Sequence, residues 1–135
     1  MTPERHRNSR QRDDDPDSDQ LLLSRISNEM VQAQKRYFGR GPTQAKSYLL
    51  DDFLLVVMRG GITVAESTML EFGRGDLVRS FRQEIEAELG DRLLDRLQTL
   101  TGRRIVNHQT QILLEPHTVV AMFFFEPEAA LAAEE

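Results

Sequence analysis

Cysteine is absent from the 135 residues, which removes disulfides, thiolate metal centres and cysteine nucleophiles together and suits a reducing cytoplasm. Long apolar runs are missing as well. The longest, Val119 to Phe125, falls far short of the ~20 residues a membrane-spanning helix requires, so direct membrane insertion is not expected. The N-terminus carries arginines with no apolar segment behind them, so it does not read as a secretory signal. Basic excess is lacking too: a formal net charge of -5 argues against nucleic-acid binding driven by phosphate neutralisation.

The frameworks of several chemistries are also missing. No G-x-x-x-x-G-K-S/T loop offers a cradle for nucleotide phosphates. Ser47, Ser67 and Ser80 have neither an identifiable histidine base nor a strained nucleophile elbow. The three histidines fall in a tail (His6), a strand (His108) and a turn (His117), and such spacing gives metal ligands nowhere to converge. Asp51-Asp52 reads as a turn before it reads as a cation site. No metal and no cofactor are expected.

What is present fits one domain. A chain of this length that is 39% hydrophobic can bury a core of one sheet and two or three helices. Residues 1–19 carry Arg5, Arg7, Arg10 and Arg12, then a run of aspartates, with almost nothing apolar, and are expected to form a disordered charged tail. Residues 20–127 form the domain, and the Ala/Glu-rich residues 128–135 are expected to fray.

Within the domain, Leu23, Ile26, Met30, Ala33 and Tyr37 recur at helical steps from Gln20, with Ser18 or Asp19 as cap and Gly39 as stop. Ala45 to Leu50 and Phe53 to Arg59 read as a hairpin around Asp51-Asp52. The second of these is apolar on both faces, hence central. Thr63 and Glu66 have the spacing of a capping box that starts a short helix to Phe72. Asp76 opens a longer helix ending at Gly102, on which Leu77, Phe81, Ile85, Leu89, Leu93, Leu97 and Leu100 are expected to form one buried stripe. Arg82 with Glu86, and Glu88 with Arg92, are expected on its solvated face. Gly90 should weaken it locally. Tyr37, Phe38, Phe72 and Phe81 are expected in the core. Arg103 to Leu114 and Thr118 to Phe125 form a second hairpin across Glu115-Pro116-His117. The expected fold is α+β, with helices on one four-stranded, mainly antiparallel sheet in the order α-β-β-α-α-β-β. The all-apolar last strand needs cover on both faces, inside the sheet or from a second subunit, and points to a homodimer.

The strongest site candidates are two turns, Gly39-Arg40-Gly41 and Gly73-Arg74-Gly75, each setting an arginine between glycines after an amphipathic stretch. Glycine lets an anion approach the backbone closely, and arginine presents a planar fork of donors. With Arg79 and the amide-rich start of the long helix they could bind phosphate or bicarbonate. The plainer reading makes Gly39 and Gly73 helix C-caps and leaves the arginines in solvent.

Five segments carry a resemblance: Ile26-Ser27-Asn28-Glu29-Met30-Val31, Tyr37-Phe38-Gly39-Arg40-Gly41-Pro42-Thr43, Gly60-Gly61-Ile62-Thr63-Val64-Ala65-Glu66, Gly73-Arg74-Gly75-Asp76-Leu77-Val78-Arg79 and Thr101-Gly102-Arg103. In this order they resemble the MpsC family, over about Gln20 to Pro127. The resemblance implies a soluble, cytoplasmic accessory protein of a bacterial sodium-translocating, membrane-potential-generating system, whose other parts are linked to bicarbonate or cation uptake. It implies a protein partner, such as a membrane transporter that would hold the chain at the membrane periphery, and no catalytic residues. A non-catalytic accessory or regulatory protein is therefore the expected function. The alternatives are a small-anion sensor and an enzyme of unknown reaction.

Overall fold

A computed structural model describes residues 16–127. The expectations for the two ends, and His6, lie outside the described residues, apart from Pro16 to Asp19. Those four residues begin the first helix, α1 (Pro16–Phe38). Proline suits a first helical turn, where its missing N–H would have no partner, and Asp17 and Asp19 sit favourably at the positive end of the helix dipole.

Next come β1 (Gln44–Leu50), β2 (Phe53–Arg59), α2 (Val64–Glu71), α3 (Gly75–Thr101), β3 (Ile105–Leu114) and β4 (His117–Phe125). The order is the one the sequence predicts. The sheet runs β1-β2-β4-β3 and every pairing is antiparallel. The chain leaves β2, crosses through α2 and α3 to the far edge as β3, and folds β4 back into the gap. The apolar run of β4 is thus central: Val119, Ala121 and Phe123 are buried on one face, while Val120, Met122 and Phe124 on the other stay half-buried.

Alternation divides the sheet into two unequal faces. On one, Leu54, Val56, Met58, Val119, Ala121 and Phe123 are buried with Ile26 and Met30 of α1 and Leu97 of α3. Both long helices lie on this side: Ser27 of α1 hydrogen-bonds Ser47 of β1, and Gln83 and Arg79 of α3 donate to the Thr110 and Ile112 carbonyls of β3. On the other face the register aligns Leu50, Phe53, Phe124 and Asn107, then Tyr48, Leu55, Met122 and Gln109, then Lys46, Val57, Val120 and Gln111, then Gln44, Arg59, Thr118 and Leu113. None of the described helices packs there.

The expected stripe on α3 is corrected. Leu89 and Leu97 are buried, but Leu77 and Phe81 are 55% and 49% exposed, and the buried face is Val78, Arg82, Glu86, Leu89, Gly90 and Leu97. Steps of four residues overshoot a helical turn by about 40°, so a run of five such steps drifts by about 200° and cannot stay on one side. Counted the same way, the observed set fits within about 120°. Tyr37 and Phe72 are likewise exposed, not core. Glu88 and Arg92 pair on the surface, as the sequence predicts.

Candidate functional site

Arg82 is the largest fully buried side chain, 1% exposed, where a solvated one is expected. Its fork is saturated. Nε and Nη2 donate to the two Glu66 oxygens at 2.7 and 2.9 Å, Nη2 also to the Gly61 carbonyl at 3.0 Å, and Nη1 to Gln34 Oε1 and Glu86 Oε2, both at 3.2 Å. Gln34 in turn donates to Glu86 Oε1. The guanidinium carbon stands 3.7 Å from the centroid of the Phe38 ring, close enough for a desolvated cation–π contact.

Local sequence positions each member. The predicted capping box is present: Thr63 Oγ1 accepts from the Glu66 amide and the Glu66 carboxylate accepts from the Thr63 amide. This fixes the carboxylate at the start of α2, aimed at α3. Gly60 and Gly61 turn the chain out of β2 with φ of +78° and +85°, and a Cβ on Gly61 would sit 3.1 Å from the Pro42 backbone. Only glycine packs there without strain, and that packing presents the Gly61 carbonyl to Arg82.

The charges are unequal. Burial alone would raise the Glu66 carboxyl, but hydrogen bonds from Arg82 and the Thr63 amide, with the charge of Arg82, outweigh it and hold the pKa below its ordinary value. At Glu86 burial wins and the pKa is raised, despite Gln34 and Arg82. Nearby His117, buried at the first position of β4 and not in a turn, has no hydrogen-bond partner at either ring nitrogen among the described residues. Burial and then the charge of Arg82 lower its pKa, against a smaller pull from Glu66.

Beside this network opens a cleft of about 560 Å³ between the end of α1, α2 and the start of α3. Phe38, Met69, Val78 and Phe81 make its walls, Thr63 and Glu66 contribute the polar part, and Tyr37, Leu77 and Phe81 stand half-exposed around it. Phe81 meets Phe38 edge-on, with ring centroids 5.9 Å apart. Exposed apolar side chains around a concave apolar wall are what an interaction site offers.

The residues of the arginine-glycine turns do not line this cleft, although Gly39 follows Phe38 directly and the Leu77 and Val78 amides donate to the Arg74 carbonyl. Gly39 and Gly73 close α1 and α2 in the left-handed conformation, their amides donating to the Lys35 and Leu70 carbonyls. Gly41 is half-buried against Val31 and Lys35, and Gly75 is the first residue of α3, near Leu114. Arg40 and Arg74 are exposed, without a side-chain hydrogen bond or ion pair among the described residues. Arg79 spends one donor on the Ile112 carbonyl at 2.8 Å. His108 stands apart from His117, held by Asp91 at 2.7 Å and stacked on Phe123. Among the described residues no group of three or more His, Asp or Glu is placed to hold a metal ion.

The comparisons with known proteins agree with the resemblance in the sequence. The family model described as the Na+-translocating membrane potential-generating system (MpsC) matches residues 18–127. The chain belongs to the MpsC family. A Bacillus subtilis (strain 168) relative, named uncharacterized protein YbcI, is 29% identical over 92 residues, which covers 67% of this chain and 74% of that protein. No solved structure matches the chain. No described helix of this MpsC protein is long and apolar enough to cross a membrane.

Proposed function

We propose that this MpsC protein is a non-catalytic accessory or regulatory subunit of a bacterial membrane cation or bicarbonate transport system, working as a homodimer at the cytoplasmic side of the membrane through a protein partner. The observation that carries the reading is the cleft framed by Tyr37, Leu77 and Phe81 in a member of a family named for a membrane system. Its rim is apolar, and its charged floor is already satisfied internally. Both oxygens of Glu66 and both of Glu86 accept hydrogen bonds, which leaves them poorly placed to take a proton from a substrate. Such a cleft favours an apolar segment of a partner over a reacting small molecule.

The test is physiological. Bacteria lacking this chain should lose sodium-dependent membrane potential, read with a potential-sensitive dye, and wild type should restore it. A folded Leu77→Glu, Phe81→Glu double variant should not. Unchanged potential and unchanged cation and bicarbonate uptake in the deletion strain would overturn the proposal. The small-anion sensor is the second reading, favoured by the unpaired guanidiniums of Arg40 and Arg74 among the described residues.

A further inference from the structure

We infer that the helix-free face of the sheet is the homodimer interface, with two copies packed face to face about a two-fold axis that lies in the interface and runs across the strands. The inference rests on the homodimer reading above and adds its surface and orientation.

Three features commit this face to a second copy. The first is extent. Four strands about 4.8 Å apart and seven residues of about 3.4 Å give a flat footprint near 460 Å² per copy, so roughly 900 Å² for two before side-chain relief is counted. That flat figure falls just under the roughly 1,000 Å² that a specific interface should clear, and the side chains standing off the sheet add to it. The second is relief. At one end Leu50, Phe53 and Phe124 stand in a row across three strands. At the other end, on β1 and β2, there is a hollow of about 310 Å³ lined by Gln44, Ala45, Lys46, Tyr48, Val57 and Arg59. The proposed axis keeps each strand opposite its own copy and reverses the rows, so Leu50 and Phe53 of one copy enter the hollow of the other, and the reverse, as an isologous interface requires.

The third is charge. The face carries no acidic residue, and its cations, Lys46 and Arg59, both border the hollow. Row reversal sets Arg59 against Phe53 of the second copy and Lys46 against Tyr48. Cations then meet aromatic faces and not each other. Lys46 already stands 5.5 Å from the centroid of its own Tyr48 ring. Two sheets joined in this way keep their strands roughly aligned, about 10 Å apart, with all helices outside.

Light scattering should give about twice the 15.5 kDa chain mass across a broad concentration range. Tyr48→Lys, which sets a second cation against Lys46 of the other copy, and Met122→Lys, at the centre of the face, should weaken dimerisation at least tenfold while circular dichroism stays native. Because the chain has no cysteine, a Phe53→Cys chain mixed with an Arg59→Cys chain should be joined by a short bismaleimide, and Phe53→Cys alone should not. A monomeric wild type would overturn both the homodimer reading and this interface. A dimer untouched by Tyr48→Lys and Met122→Lys, or linked equally well by Phe53→Cys alone, would overturn the interface and leave the homodimer.

Discussion

Replacing Arg82 by methionine, which keeps the helix propensity and most of the length, should destabilise the fold by about 3 to 5 kcal/mol at neutral pH. The guanidinium makes five hydrogen bonds, three of them to carboxylates. At roughly 1.5 to 3 kcal/mol for each bond to a charged group, a simple sum would rival the roughly 5 to 15 kcal/mol that holds a whole domain together. The sum is wrong because the desolvation of Arg82 cancels most of it; what remains is the cost of leaving Glu66 and Glu86 buried without their cation. That cost has a pH signature. In the wild type the lowered pKa of Glu66 contributes stability that is present above its unfolded value of 4.5 and lost as pH falls through the folded value. Without Arg82 burial prevails, the carboxyl is raised, and protonation becomes favourable. The deficit of Arg82→Met should therefore shrink as pH falls from neutral toward the unfolded carboxylate value. Arg82→Lys should recover only part of the loss, because the charge returns without the fork. Urea unfolding followed by circular dichroism over that range gives the answer. A loss under about 1 kcal/mol, or a deficit flat with pH, would refute the account of the network.

Gly90→Ala should cost about 1 to 3 kcal/mol by the same assay, and not stabilise as alanine in a helix ordinarily would, because the added Cβ would lie 2.6 Å from Nδ1 of the pinned His108 ring. His117→Leu should stabilise relative to wild type increasingly as pH drops below 6.5. The lowered pKa means that the unfolded chain binds the proton more readily, so wild-type stability is full above that value and falls beneath it, while Glu86 acts alike in both proteins. Arg40→Ala and Arg74→Ala should each stay within about 0.5 kcal/mol of wild type in buffer without anions. If the turns bind phosphate or bicarbonate, wild type should gain about 2.7 kcal/mol at a hundred times the dissociation constant and Arg74→Ala should lose that gain, so equal gains in all three proteins would dismiss the sensor.

Strands, turns and caps are legible in this chain because their signals are local. Asp51-Asp52 between two β-rich runs, Thr63 three residues before Glu66, and Gly102 after the last helical turn each specify a conformation within a few residues. The central place of β2 follows from apolar side chains at both parities. The arginine between glycines is equally local, and its loops are where the sequence puts them. The network of Arg82 is different. An Arg and a Glu four residues apart look the same on a solvated face as on a buried one, and nothing near them in the chain reveals which applies.

The burial of Arg82 depends on the angle at which α2 meets α3, and therefore on the turn Gly73-Arg74 between them. Glu66 comes from the first turn of α2 and Gln34 from the last turns of α1, so the hydrogen-bond partners of Arg82 stand 16 and 48 positions away. One signal was nevertheless available. Placed at 100° per residue, Val78, Leu89, Leu93 and Leu97 define a face that also contains positions 82 and 86, whereas Leu77 and Phe81 fall outside it. A cation and a carboxylate on the apolar face of a long helix demand partners from other elements, since neither tolerates burial alone. The same geometry that hides Arg82 turns Leu77 and Phe81 outward beside Tyr37. The internal ion network and the apolar rim of the cleft are thus two consequences of one helix rotation.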